Sequence, residues 1–164
     1  MVRVLRLSVL TMENDALTIR LMQYQELDEV IRVGQKFFDE GFLIGKLKPE
    51  VFKANWTSII TNSKGAIIGA LRGPKLIGVM GFVIANDPND GELVSQEMFW
   101  FVDPEYRKGE GIKLLNTYEK VAQHIGVKRI GLVHLLGDNN KTLNKLYVRK
   151  GYRPMETHYF KEIS

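Results

Sequence analysis

The segment Val102-Asp103-Pro104-Glu105-Tyr106-Arg107-Lys108-Gly109-Glu110-Gly111-Ile112-Lys113-Leu114-Leu115 places two cations and two glycines where a strand ends and a helix begins. Free N–H groups at a helix start point the same way, and the helix dipole adds positive potential there. Glycine lets a phosphate approach the backbone closely. Arg107 and Lys108 can add charge-assisted contacts. The chemistry on offer is the cradling of an anion. The same residues also suit a plain strand-to-helix turn with solvated cations. The spacing is neither the dinucleotide fingerprint nor a P-loop, which needs a Gly-Lys-Ser/Thr ending.

The strand leading into this turn, Leu93 to Val102, carries one acid in its interior, Glu97. Strand alternation places Glu97, Phe99 and Phe101 on one face and Met98, Trp100 and Val102 on the other. A carboxylate amid Met98-Phe99-Trp100-Phe101 is partly desolvated, which raises its pKa towards duty as a base. At the strand's edge it is instead a solvated residue. The three histidines are scattered and make no metal site. His124 falls on the polar side of a helix, and His134 in a strand reads as a satisfied structural residue. His158, in Glu156-Thr157-His158-Tyr159, is placed to line a pocket.

The elements that position these groups follow from periodicity and turn residues. Leu17–Met22 reads as a strand. Gln25–Glu40 reads as a helix with Leu27, Val30, Ile31, Gly34 and Phe38 on one face. Pro49 opens a second helix whose stripe includes Phe52, Trp56, Ile59 and Ile60. Strands Ala66–Leu71 and Leu76–Ala85 flank the hairpin turn Arg72-Gly73-Pro74-Lys75. After the turn Asn86–Gly91 comes Leu93–Val102, then a helix over Glu110–Ile125 and a strand over Arg129–Leu136. A short helix begins at Asn139 or Asn140, turns Leu143, Leu146 and Tyr147 inward and closes at Gly151. Tyr152–Ile163 is expected to supply one or two terminal strands. The order β-α-α-β-β-β-α-β-α-β contains no repeat and no dividing linker.

With these residues in view, the chain resembles the GNAT-type N-acetyltransferases. Strand, Pro-Glu-Tyr-Arg, glycine turn and helix look like that family's coenzyme A pyrophosphate loop. Asn140-Lys141-Thr142-Leu143-Asn144-Lys145-Leu146-Tyr147-Val148-Arg149-Lys150-Gly151-Tyr152 is similar to the family's late Asn, Leu-Tyr and Gly-Phe/Tyr pattern. The resemblance runs from about Leu17 to Ile163. It departs in one place: counted from Arg107 the glycine loop is one residue short, and counted from Tyr106 the leading residue is neither Arg nor Gln.

The resemblance implies an α/β (α+β) fold with a mixed, mostly antiparallel twisted sheet and helices on both faces. It implies an N-acetyltransferase domain over 17–164, preceded by an arm or extra strand at 1–16. Acetyl-CoA is the implied cosubstrate, held by Phe101, Val102, Arg107, Lys108, Gly109, Glu110, Gly111, Ile112, Asn140 and Tyr147, with no metal. Tyr147 is the implied acid for the departing thiolate, and it also suits core packing. Glu97 is the candidate base. Phe37, Phe38 and Phe42, with Asp39 and Glu40, lie where the family places acceptor-facing residues, although core packing suits the aromatics equally. The acceptor is a small-molecule or peptide amine. An inactive coenzyme A-binding module is the alternative reading.

Composition agrees. The 164 residues include no cysteine, which rules out disulfides, thiolate metal sites and a cysteine nucleophile. The net charge of +4 permits an anionic ligand without demanding nucleic acid. The small basic set Lys141, Lys145, Arg149, Lys150 and Arg153 reads as solvated surface. The basic, apolar start MVRVLRLSVL is broken by Arg3 and Arg6 and is too short to span a membrane. A cytoplasmic location is expected, with no membrane or nucleic-acid partner, and a homodimer is compatible with these features.

Overall fold

The computed structural model describes residues 16–39, 45–135 and 140–163. The expected arm, the acceptor-facing positions Glu40 and Phe42, and the Leu136 end of the strand expected over Arg129–Leu136 lie outside the described residues. The chain divides between Val133 and His134 into two compact units.

In the first unit, β1 (Leu17–Leu21), β2 (Gly65–Arg72), β3 (Lys75–Asn86), β4 (Leu93–Val102) and β5 (Arg129–Gly131) lie side by side in chain order. Each of the first four is antiparallel to its neighbour, and β5 runs parallel to β4. Helices α1 (Leu27–Asp39) and α2 (Pro49–Thr61) cover one face, with Leu27, Val30, Val33 and Trp56 packed on Met22, Ile67, Val79 and Phe101. Helix α3 (Glu110–His124) covers the other, where Tyr118 stacks on Phe82 with ring centroids 4.5 Å apart. Covering on both faces explains why β2 and β3 read as continuous apolar runs rather than alternating ones. Each large side chain buried this way contributes about 1.5–3 kcal/mol.

The register between β3 and β4 shifts between Gly81 and Phe82. Gly81 stands opposite Phe99 and Phe82 opposite Glu97, so Met98 is the unpaired residue of a β-bulge. The bulge overturns the expected faces. Phe99 packs on Phe52 and Trp56, and Phe101 on Phe37, all from α1 and α2. Glu97 lies across from Phe82, on the α3 face with Ser95, while Met98 is 53% exposed. Uninterrupted alternation holds only where pairing is regular, and here one inserted residue separates Glu97 from the phenylalanines it was expected to join.

Two further expectations are corrected. Among the described residues, the strand expected over Arg129–Leu136 pairs with β4 only from Arg129 to Gly131. Beyond it, the Val133 N–H goes to the Glu97 side chain instead of the β4 backbone, so the ladder gives way to a side-chain contact. Arg129 also ties β5 to the preceding turn through Asp90 at 2.7 Å and Asp87 at 2.9 Å. In the second unit, α4 (Asn140–Arg149) is present, but no strand forms in 152–163. Met155, Tyr159, Phe160 and Ile163 are exposed there. Their composition suits a strand, but a strand exists only with a paired edge.

Candidate active site

Glu97 is 4% exposed. Burial pushes its carboxyl up to about 7, against the downward pull of the Val133 N–H, which donates to Oε2 at 2.9 Å. Two residues earlier, the Ser95 hydroxyl donates to the Val83 carbonyl at 3.0 Å. Having spent its one hydrogen, it accepts from the Tyr118 hydroxyl at 2.6 Å. Burial pushes the Tyr118 phenol well above its ordinary value, which keeps it a neutral donor. The carboxylate that the sequence marks as a base therefore stands in a dry, hydrogen-bonded stretch of β4, poised to exchange a proton near neutral pH.

The glycine turn begins where β4 ends. Asp103 pairs with Lys36 of α1, and a 3-10 turn over Pro104–Tyr106 leads into the loop. Arg107 folds back onto the strand: its Nε donates to the Val102 carbonyl at 2.8 Å, and its guanidinium lies 5.2 Å from the Phe101 ring centre. Lys108 is exposed. Gly109 caps α3 with φ +116, a left-handed conformation that favours glycine. Gly111 lies under Trp100, where an added Cβ would stand 3.3 Å from the indole. Phe101 and Val102 end β4, and 107–112 make the loop and first turn of α3, with Asp103–Tyr106 between them and Ile112 exposed.

Glu110, expected among the residues that hold acetyl-CoA, is buried. Its carboxylate pairs with Arg72 of β2 at 2.7 Å and accepts the Lys108 N–H at 2.9 Å. These contacts, the Arg72 hydrogen bond foremost, hold its carboxyl below the usual range. A glutamate between two glycines is the local signal for a capping acid. Nothing near it in sequence points to Arg72, which arrives from the β2–β3 hairpin. Ser95 and Tyr118 were missed for the same reason, since their pairing is made across the sheet.

In the second unit, Asn140 opens α4, its side chain lying outside the described residues. Tyr147 is buried, and its carbonyl accepts the N–H groups of Lys150 and Tyr152 where the helix closes before Gly151. Its ring meets His134 edge-on at 6.1 Å and Tyr152 at 5.9 Å. The Nε2 of His134 is buried without a hydrogen-bond partner among the described residues, contrary to the expectation of a satisfied residue. His158 is exposed beside Glu156, and His124 is exposed on α3.

The sheet, the strand-to-helix turn and the late helix are those of one enzyme superfamily. The chain belongs to the acetyltransferase (GNAT) family, which it matches over residues 28–152. At the level of sequence, no curated protein matches it. Among solved structures it is similar to a ribosomal-protein-alanine N-acetyltransferase from Brucella melitensis biovar Abortus 2308, with TM-score 0.68 and 16% identity over 91% of this chain and 100% of that one. It is also similar to an acetyltransferase from Trypanosoma brucei, with TM-score 0.69 and 18% identity over 90% and 100%. An aminoglycoside N-acetyltransferase in complex with CoA gives TM-score 0.71 and 18% identity over 94% and 99%. At such identities the likeness is one of fold. Among the described residues no helix is long and apolar enough to cross a membrane.

Proposed function

We propose that residues 17–164 form a cytoplasmic N-acetyltransferase that moves the acetyl group of acetyl-CoA to a primary amine on a small molecule or peptide. The observation that carries this reading is the edge of β4. Among the described residues β5 pairs with it only opposite Val94–Gln96, and the strand beyond runs into the glycine turn that opens α3. A strand edge with no neighbouring strand among the described residues suits an amide-bearing chain, and N–H groups at a helix start suit its pyrophosphate.

In this reading the first turn of α3, with Gly109, Gly111 and Lys108, holds the pyrophosphate, and Arg107 supports the end of β4. A free alkyl amine with a pKa near ~10.4 is mostly protonated at neutral pH, so it must first lose a proton, and Glu97 takes it. The amine lone pair attacks the thioester carbonyl. A C–N bond forms, the C–S bond breaks, and the β4 backbone N–H groups bear the charge on the carbonyl oxygen. Tyr147 protonates the leaving thiolate, and the second proton that the nitrogen sheds as the amide forms returns to the Tyr147 phenolate, giving the amide and free coenzyme A while Glu97 releases its proton to solvent.

Calorimetry with acetyl-CoA, followed by a panel of amines, tests the reading. Gly111→Asp is expected to remain folded and to lose measurable affinity, because the new carboxylate crowds Trp100 and repels phosphate. Unchanged affinity in the folded variant would remove the pyrophosphate assignment. Binding without turnover on any amine would favour a coenzyme A-binding module.

A further inference from the structure

A glycine inside a helix weakens it relative to alanine, so its place there asks for a reason. Gly34 stands in the middle of α1, and among the described residues nothing lies within 4 Å of the point where its Cβ would be. Close packing therefore does not demand it. What the missing side chain leaves is space. Gly34 lines a cleft together with Phe37 of α1, Phe52 of α2, and Phe99 and Phe101 of β4. Phe37 meets Phe101 and Phe52 meets Phe99, with ring centres 5.8 Å apart in each pair, and these contacts set the walls. The free space is about 20 Å³, little more than the roughly 10–15 Å³ that a single water-sized group requires. The wall surface is apolar throughout, so a water inside would find no hydrogen-bond partner. The cleft suits one small apolar group.

Its position points to the molecule that carries this group. Phe99 and Phe101 belong to the part of β4 beyond Gln96, the last residue opposite β5, and acetyl-CoA is assigned to that part. We propose that the acceptor is a primary amine bearing a short aliphatic side group, that the cleft seats this group, and that Gly34 sets its size limit. The inference rests on the acetyl-CoA reading above. An acceptor seated here comes to the β4 edge from the α1 face. Glu97 stands on the other face, so the nitrogen meets it at the edge between the two. A hydroxyl or ammonium pressed into the same walls would lose its hydration and find no partner, so sugar amines and polyamines gain nothing from this cleft.

The test measures kcat/KM of the full-length protein for glycinamide, alaninamide, 2-aminobutanamide and leucinamide, with serinamide as the polar counterpart of 2-aminobutanamide. All carry α-amines of similar pKa, so differences report the side group. The wild type is expected to prefer 2-aminobutanamide to glycinamide roughly 10-fold or more, and to disfavour leucinamide and serinamide. Gly34→Ala is expected to lower kcat/KM for 2-aminobutanamide roughly 10- to 100-fold while glycinamide and the coenzyme A Kd stay as they were. Its Tm is expected to rise by about 2–4 °C, because alanine is the better helix former. In methyl-labelled protein with coenzyme A bound, 2-aminobutanamide is expected to shift the NMR signals of Val30, Ile31 and Val79, which also line the cleft. The proposal falls if the wild type acetylates the series without discrimination, if it binds coenzyme A and acetylates none of them, or if those methyl signals stay fixed. It falls too if Gly34→Ala raises Tm and lowers no rate, which makes the hollow a packing defect. Should Gly34→Ala fail to fold, the substrate series and the methyl titration on the wild type decide alone. A wild type that does not bind coenzyme A defeats the acetyl-CoA reading itself, a different and separately visible failure.

Discussion

Two glutamates in this protein are equally buried, Glu97 and Glu110, each 4% exposed, and their charges are settled in opposite ways. Glu110 meets a guanidinium and a backbone N–H and is held as an anion at the start of α3, where the helix dipole also favours it. Glu97 meets a single N–H and no cation among the described residues, so burial prevails and its carboxyl rises to about 7. Equal exclusion from the surface thus accompanies a lowered carboxyl in one place and a raised one in the other. At Glu110 the Arg72 hydrogen bond outweighs desolvation, and at Glu97 desolvation outweighs a single N–H, so surface exposure alone is a poor guide to a carboxyl's pKa.

The largest test of this contrast is Glu97→Gln. Turnover is expected to fall by roughly 100- to 10,000-fold, the usual reach of general acid–base catalysis. The rise of rate with pH, with an apparent pKa near 7 in the wild type, should disappear from the variant, leaving only the deprotonation of the amine. A residue that merely positions substrate would alter KM and leave the limb where it was.

The next effect is on stability and differs in sign between the two acids. The folded-state value of Glu97 lies above its ordinary value of 4.5, so the native state binds the extra proton. Stability is therefore expected to fall as pH rises from 4.5 to about 7, by about 3 kcal/mol from this group, and to stay reduced above that. Glu97→Gln should lack this decline, and its Tm should exceed that of the wild type at pH 8. Glu110 runs the other way. Its folded-state value is lowered, so its contribution is present above 4.5 and is lost as pH falls below. Melting curves across pH 3–9 for the wild type and the two single variants separate these contributions.

The smallest of the three is Glu110→Ala, expected to cost about 1–2 kcal/mol by leaving the Lys108 N–H and Arg72 without their shared partner. Thermal unfolding at pH 7 measures it. A loss of catalytic rate with coenzyme A affinity intact would place Glu110 among the reacting groups and dissolve the contrast with Glu97.

Local patterning made most of the first unit legible. The expected bounds of the strand Leu93–Val102 match β4, and Pro49 begins α2 as read. The glycine turn and Tyr147 were visible because their residue types and order are conspicuous. What escaped was everything that needs a partner distant in the chain. Glu97 was picked out correctly as an acid in apolar company and given the wrong face, since the bulge exists only in the pairing with β3. Arg72 and Tyr118 carry no local mark of the groups they bind. Among the described residues, Tyr152–Ile163 has a strand's composition without a ladder, and His134 has a core residue's setting without a satisfied nitrogen.

The inserted Met98 has a thermodynamic meaning of its own. Its side chain is largely in water, and removing the residue would bring Glu97 opposite Phe82 and Phe99 opposite Gly81 as consecutive rungs, with both side chains on their present faces. A Met98 deletion is thus expected to regularise β4 and raise Tm while lowering turnover, and paired melting and rate measurements on the deletion variant check it. A lineage selected for durability alone would shed this residue. Its presence costs β4 a rung of regular pairing beside the buried acid.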